Sequence, residues 1–164
     1  MNKSQLRSSY IKKRLLIDPE DYKNNSLYIC QEVSKLIGKA NNDIAVYKPI
    51  KHEVDTSYLA SNFTNYYLPV ITNKQECKMQ FVNLKGDVAV PSIFIVPLVA
   101  FNSSLYRLGY GGGYYDRYFA EHNSVITLKI GLAFALQECN DFKEEHHDIR
   151  LDYIITEHYA GRRI

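Results

Sequence analysis

Val88 to Phe101 reads VAVPSIFIVPLVAF, the longest apolar run in the chain. A strand of that composition has no polar face to turn to water, so both its faces must be covered. The run is too short to cross a membrane, and Pro91 and Pro97 argue against a helix. It is therefore read as a buried strand. Ile44 to Tyr47, Tyr66 to Val70, Thr127 to Ala135 and Leu151 to Glu157 read as further strands. Between them lie helical patterns: Lys3 to Ile17, Pro19 to about Lys39, Thr56 to about Phe63, and Tyr114 to His122. The alternation predicts an α/β fold, a three-layer domain with a largely parallel sheet flanked by helices.

Leu6, Tyr10 and Ile17 fall near one face of the first helix, with Ile11 and Leu15 beside them. Pro19 suits the first turn of the second, where Ile29, Val33, Leu36 and Ile37 make an apolar stripe. Gly38 and the Asn41-Asn42 pair are read as its end. Thr72 to Asp87 is polar and receives no assignment. At 164 residues, one domain over residues 1–164 is expected, with a core that needs neither disulfide nor structural metal.

Twenty basic and 18 acidic residues give a net charge of +2, which makes no case for a nucleic-acid or membrane partner. Cys30, Cys77 and Cys139 match no metal or redox spacing and are read as packed residues of a protein in a reducing compartment. The basic N-terminal stretch lacks an apolar core, so no signal peptide is expected and the protein is placed in the cytoplasm. A monomer is expected.

RLGYGGGYYDRYF, residues 107 to 119, follows the apolar strand and opens a helical pattern. Glycines there admit positive φ and let a ligand approach the backbone. The helix start beyond them offers free N–H groups and partial positive charge, which suit phosphate. Arg107 can add a bidentate phosphate contact, and Asp116 can meet phosphate through Mg²⁺. Neither a dinucleotide fingerprint nor a P-loop matches the text. On the residues alone, the choice stays open between a phosphate or nucleotide site and a tight turn with an acidic first helical turn. His146 and His147 before Asp148 are weak grounds for zinc.

PLVAFNSSLYRLGYGGGYYDRYF, residues 97 to 119, resembles the signature of the 5-formyltetrahydrofolate cyclo-ligases, also called methenyltetrahydrofolate synthetases. KSQLR, HEVDT, YYLPVI and HHDIRLDYIITE resemble further segments of that family, in the same order along the chain. The resemblance implies an ATP- and Mg²⁺-dependent ligase of one-carbon metabolism. It would convert 5-formyltetrahydrofolate to 5,10-methenyltetrahydrofolate through a phosphorylated formyl intermediate, releasing ADP and phosphate.

The same resemblance implies the roles of residues. Lys3 and Arg7, four apart on one helix, contact ATP phosphates. Arg107, Leu108, Gly109, Tyr110, Gly111, Gly112, Gly113, Tyr114 and Tyr115 form the nucleotide loop. Tyr110, Gly111, Gly112, Gly113 and Tyr114 also border the folate, where Glu53 faces the pterin and Lys48 lines the pocket. Asp116 and Asp148 bind Mg²⁺, and Arg107, Tyr114 and Asp116 carry the catalysis. Three features depart from the family pattern: a short stretch between Glu76 and Ile93 that is expected to border the folate, Asn102 in place of aspartate, and Leu98 in place of glycine. They keep a second reading open, a member that binds ATP with altered or lost folate turnover.

Overall fold

The computed structural model describes residues 1–38, 43–60, 62–63, 65–158 and, for the backbone, 160–162. The chain opens with α1 (Lys3–Leu15), started by a capping box in which Asn2 and Gln5 exchange side-chain-to-backbone bonds. Asp18 caps α2 (Pro19–Ile37), with Pro19 in its first turn, and Gly38 at φ 70° closes it. The Asn41-Asn42 pair lies outside the described residues. β1 (Ile44–Ala45), α3 (Ser57–Ala60), β2 (Tyr66–Asn73), β3 (Lys78–Asn83), β4 (Val88–Ala89) and β5 (Ile93–Val96) follow. Then come β6 (Ala100–Phe101), β7 (Arg107–Leu108), α4 (Tyr114–Glu121), β8 (Leu128–Leu132), β9 (Tyr153–Ile155) and β10 (Ala160–Arg162).

Eight strands form one sheet in the order β10-β9-β8-β5-β1-β2-β3-β4, and β6 and β7 form a separate ribbon. The five central strands, β9 through β2, are parallel; β10 at one edge and β3 and β4 at the other run antiparallel. The run that opens the sequence analysis is thus three short strands, divided near its two prolines; β5 and β6 are buried throughout, and β4 is not. The unassigned segment Thr72 to Asp87 holds the β2–β3 hairpin turn and β3.

Side-chain parity builds the layers. Ile93 and Ile95 of β5 join Ile44, Ile130 and Leu132 against Ile29, Cys30 and Val33 of α2. Phe94 and Val96, on the opposite face, join Ala45, Tyr67 and Phe81 against Tyr118 and Phe119 of α4. Helix α1 stands apart from both layers. Its Leu6 and Tyr10 pack on Val99, Ala100 and Leu108 of the ribbon segment, with Cys139 and Phe142. That docking brings the start of α1 across the carboxyl ends of the central strands, beside the glycine-rich segment.

The departures from the family pattern have structural accounts. Asn102 Oδ1 accepts from the Ser104 and Tyr106 amides and so shapes the β6–β7 turn. An aspartate would accept the same two bonds, so the substitution is conservative there. Leu98 is buried among the apolar side chains on the α4 side of the sheet.

Candidate active site

A cavity of about 400 Å³ opens where α1, β2, β3, the glycine loop and α4 meet. It lies beyond the carboxyl ends of parallel strands, where ligands of open α/β sheets bind. The β2–β3 hairpin supplies an apolar wall of Pro69, Ile71 and Met79, joined by Pro97 after β5. The short middle segment thus does border the cavity, through Met79. Helix α1 supplies Lys3 and Arg7, brought onto one face by their i, i+4 spacing. The loop supplies Arg107 through Tyr115, and Asp116, Glu145, His147 and Asp148 complete the lining.

The loop's conformation explains its composition. Gly111 and Gly113 sit at φ 101° and 68°, in the region that favours glycine. A Cβ on Gly111 would lie 3.3 Å from the guanidinium carbon of Arg7. Arg7 lies over the loop and donates from Nε to the Gly109 carbonyl at 2.8 Å. Gly113 caps α4 with no side-chain bond, so the first amides of that helix face the cavity uncapped. Free amides, a close-approach loop and two α1 cations suit a polyphosphate, so the residues present fit a nucleotide.

Arg107 and Asp116 are paired with each other: Arg107 Nη2 lies 3.0 Å from Asp116 Oδ2, and both side chains are largely buried. Asp116 Oδ1 also accepts from the Ile149 amide at 2.9 Å, and Arg107 Nη1 donates to the Ile149 carbonyl at 3.4 Å. The Arg107 guanidinium further sits 5.9 and 5.8 Å from the Tyr115 and Phe119 rings. Asp148 accepts from the Glu145 amide at 2.8 Å and faces Lys3 Nζ at 3.7 Å; Lys3 is bonded to Glu145 at 2.7 Å. That bond holds the Glu145 carboxyl below its ordinary value.

No cluster of three or more His, Cys, Asp or Glu stands ready for a metal among the described residues. Mg²⁺ needs less, since it binds through one or two carboxylates plus substrate phosphates. A carboxylate has about four lone-pair sites, and Asp116 spends two on Arg107 and Ile149. The donor set therefore fits a phosphate-bound Mg²⁺ and does not fit a metal held by protein alone.

Tyr114 lines the cavity and packs under the loop: a Cβ on Gly112 would meet its ring at 2.7 Å. Tyr115 lines it too, with the ring edge-on to Phe81 and tilted against Phe119. Its hydroxyl is the one buried side-chain polar atom without a hydrogen-bond partner found among the described residues. Burial pushes that phenol far above its ordinary range, so it stays a neutral donor.

Glu53 and Lys48 are placed differently. Glu53 is buried behind the cavity wall, its Oε1 accepting from the Tyr110 hydroxyl at 2.9 Å and its Oε2 from the Ile50 amide at 3.0 Å. Burial raises its carboxyl; those two bonds, Arg14 and Lys51 pull it back. Lys48 is exposed and outside the lining. Sequence reasoning missed Arg14, which is 1% exposed and continues the Lys3–Arg7 stripe two turns further along α1. It also missed Glu145 and the apolar wall, and it named His147 only as weak grounds for zinc.

Residues 88–157 match the model of the 5-formyltetrahydrofolate cyclo-ligase family. The chain is 30% identical over 167 residues to a 5-formyltetrahydrofolate cyclo-ligase of Mycoplasma pneumoniae, covering 96% of this chain and 99% of that one. It is 35% identical over 121 residues to the Mycoplasma genitalium protein of the same name, covering 69% and 71%. A solved 5,10-methenyltetrahydrofolate synthetase from Mycoplasma pneumoniae superimposes with a TM-score of 0.85 at 29% identity, over 96% of this chain and 99% of that one. The NMR structure of the Aquifex aeolicus 5,10-methenyltetrahydrofolate synthetase gives 0.82 at 26%, over 99% and 93%. Near-complete coverage of the Mycoplasma pneumoniae relative leaves no large segment of it unmatched. With the fold, the glycine loop and both chain ends aligned, this chain belongs to the 5-formyltetrahydrofolate cyclo-ligase family of enzymes.

Proposed function

We propose that the protein closes 5-formyltetrahydrofolate to 5,10-methenyltetrahydrofolate at the expense of ATP, with Mg²⁺, releasing ADP and phosphate. The observation that carries this is the union of two unlike walls in one cavity: a phosphate-ready loop with two α1 cations, and an apolar hairpin face that suits a flat heterocycle. A formyl oxygen is a poor leaving group, and the nucleotide, when bound, supplies the phosphoryl group that lets it depart as phosphate. The folate N10 would form the new C–N bond to the formyl carbon, the C–O bond would break with its electron pair leaving on phosphate, and the N10 proton would pass to that departing phosphate. The chain's contribution is positioning and charge neutralisation.

Lys3 and Arg7 would hold the phosphates from the α1 side, and the Gly109 to Gly113 backbone and the first amides of α4 from below. Asp116 and Asp148 would hold Mg²⁺ against those phosphates. Arg107 holds Asp116 in place, and Tyr114 fixes the loop against which both substrates lie. The apolar hairpin wall excludes water from the reacting centre. The chain would act as a monomer in the cytoplasm, and no helix of the described residues is long and apolar enough to cross a membrane.

One observation favours a second reading. Tyr110 occupies the Glu53 oxygen that would otherwise meet a pterin donor, so a nucleotide-binding member with an altered acceptor is the alternative. The test is purified protein with Mg-ATP and 5-formyltetrahydrofolate, followed in the near-ultraviolet band of the methenyl product. ATP-dependent growth of the band is expected. Thermal stabilisation by Mg-ATP with no band and no stabilisation by the folate would select the alternative.

A further inference from the structure

Arg14 is the most heavily committed side chain near the cavity that the reaction, as read above, does not use. Its guanidinium is almost fully buried and forks to three separate segments. Nε donates to the Lys51 carbonyl at 2.9 Å, Nη1 to the Leu98 carbonyl at 2.9 Å, and Nη2 to the Tyr110 hydroxyl at 2.8 Å. Among the described residues no carboxylate pairs with it directly. Burying such a charge is costly, and its three hydrogen bonds have to offset that cost. The nearest carboxylate bond in the network comes one step on, where the same Tyr110 hydroxyl donates to Glu53.

The segment that carries Glu53 is held in a conformation it would not choose alone. Lys51 and His52 both have positive φ, 48° and 59°, which costs non-glycine residues energy and persists only where surroundings over-determine it. Arg14 holds the Lys51 carbonyl, the His52 ring stacks on Tyr22 at 4.5 Å, and the Tyr22 hydroxyl donates to the Glu53 carbonyl at 2.8 Å. All three contacts fix where the Glu53 carboxylate points.

We propose that Arg14 is a positioning residue: acting through the Tyr110 hydroxyl, it sets the Glu53–Tyr110 pair as the acceptor that reads the ring N–H donors of the reduced folate. The proposal rests on the cyclo-ligase reading. Tyr110 is the member of the pair that lines the cavity, so the folate meets a phenol backed by a carboxylate. The phenol oxygen has a lone pair left after accepting from Arg14, and each carboxylate oxygen keeps acceptor capacity. Gly111 beside Tyr110 gives the backbone freedom to adjust as a ligand seats.

A role through Glu53 carries a pH signature that a purely structural role lacks. Arg14 faces the carboxylate from α1, Tyr22 from α2, Tyr47 and Lys51 from its own segment, and Tyr110 and Tyr115 from the loop and α4. Recognition needs the ionised acceptor, so folate affinity falls as pH drops through the Glu53 pKa. Removing a donor that lowers that pKa moves the acid limb to higher pH.

The test measures KM for 5-formyltetrahydrofolate and for ATP, from acid to neutral pH, in wild type, Tyr110→Phe, Arg14→Lys and the double variant. Each single variant is expected to raise the folate KM about three- to tenfold, the worth of one hydrogen bond, with the ATP KM inside about twofold. The acid limb of folate KM should move up in Tyr110→Phe, which loses a hydrogen bond that lowers the Glu53 pKa, and little in Arg14→Lys, which keeps the charge. Arg14→Lys should add less on the Tyr110→Phe background than it costs alone, because the hydroxyl relay is already cut and only the hold on the Lys51 carbonyl is left to lose. An unchanged folate KM, an equal rise for both substrates, or an Arg14→Lys cost as large without the hydroxyl as with it would each overturn the proposal. Should Arg14→Lys fail to fold, Tyr110→Phe alone decides through its KM split and acid limb. Wild type that never forms the methenyl band overturns the cyclo-ligase reading and this proposal together; active wild type with indifferent variants overturns this proposal alone.

Discussion

Asp116 is read as a metal ligand, yet in this fold it also neutralises a buried arginine, and the two roles can be separated. Asp116→Ala leaves the Arg107 guanidinium, whose side chain is 5% exposed, without its carboxylate and removes the acceptor for the Ile149 amide. Breaking a buried pair from one side costs about 3–5 kcal/mol. The Asp116 side chain is 17% exposed, so water repairs part of the damage; about 3 kcal/mol is the working figure. For a chain of this size that is a melting point lower by about 6–12 °C. Asp116→Asn keeps an oxygen for the Ile149 amide and most of the packing and loses only the charge, so its cost should be about half.

The assay is thermal unfolding of the three proteins, each alone, with ATP in EDTA, and with Mg-ATP. If Asp116 ligates the ion, both variants lose the extra stabilisation that Mg²⁺ adds to ATP, although their own melting points differ. Asp116→Ala melting with wild type would refute the structural weight given to the Arg107 pair. Asp116→Asn with an undiminished Mg²⁺ increment would refute the metal role. An activity assay on the alanine variant alone could not tell these apart, because a collapsed loop and a lost ligand both abolish turnover.

Tyr115→Phe removes a buried hydroxyl that has no partner among the described residues, so the free protein should melt no lower than wild type, and higher by up to about 2–4 °C. If a bound substrate satisfies that hydroxyl, the same variant loses about two- to tenfold in that substrate's affinity, a sign opposite to the stability change, read by ligand-induced shifts in melting temperature. Arg7→Ala should raise the KM for ATP by about tenfold or more and leave the folate KM within about twofold, since a charged contact is lost on the phosphate side; steady-state kinetics varying each substrate would show equal changes if that helix face only packs. Gly111→Ala forces a Cβ onto a φ of 101° and against Arg7. It should cost more than about 1 kcal/mol and weaken ATP binding, both read by thermal unfolding with and without nucleotide.

What the sequence disclosed was decided by local physics. Pro19 announces the start of α2, and the parity of IFIV divides itself between two cores without reference to the rest of the chain. The glycine loop is legible because positive φ is a property of single residues. β3 was hidden because KMQFVN buries only Phe81 fully; Met79 faces a cavity, so the alternation that marks a strand is diluted by function. Lys48 shows the opposite failure. It neighbours buried Tyr47, whose hydroxyl bonds inward to Val54, and a change of one position in an extended segment turns the side chain to the other side. Proximity in sequence to the site therefore argued against Lys48 rather than for it. Arg14 is the hardest case, because a charged residue on a helix is ordinarily solvated and nothing within its own segment says otherwise. Its burial is fixed by Lys51, Leu98 and Tyr110, acceptors 37, 84 and 96 residues away. The fold's core is written in short-range periodicity; its polar wiring is written in contacts of high sequence separation, and residues that act through another residue lie in that second text.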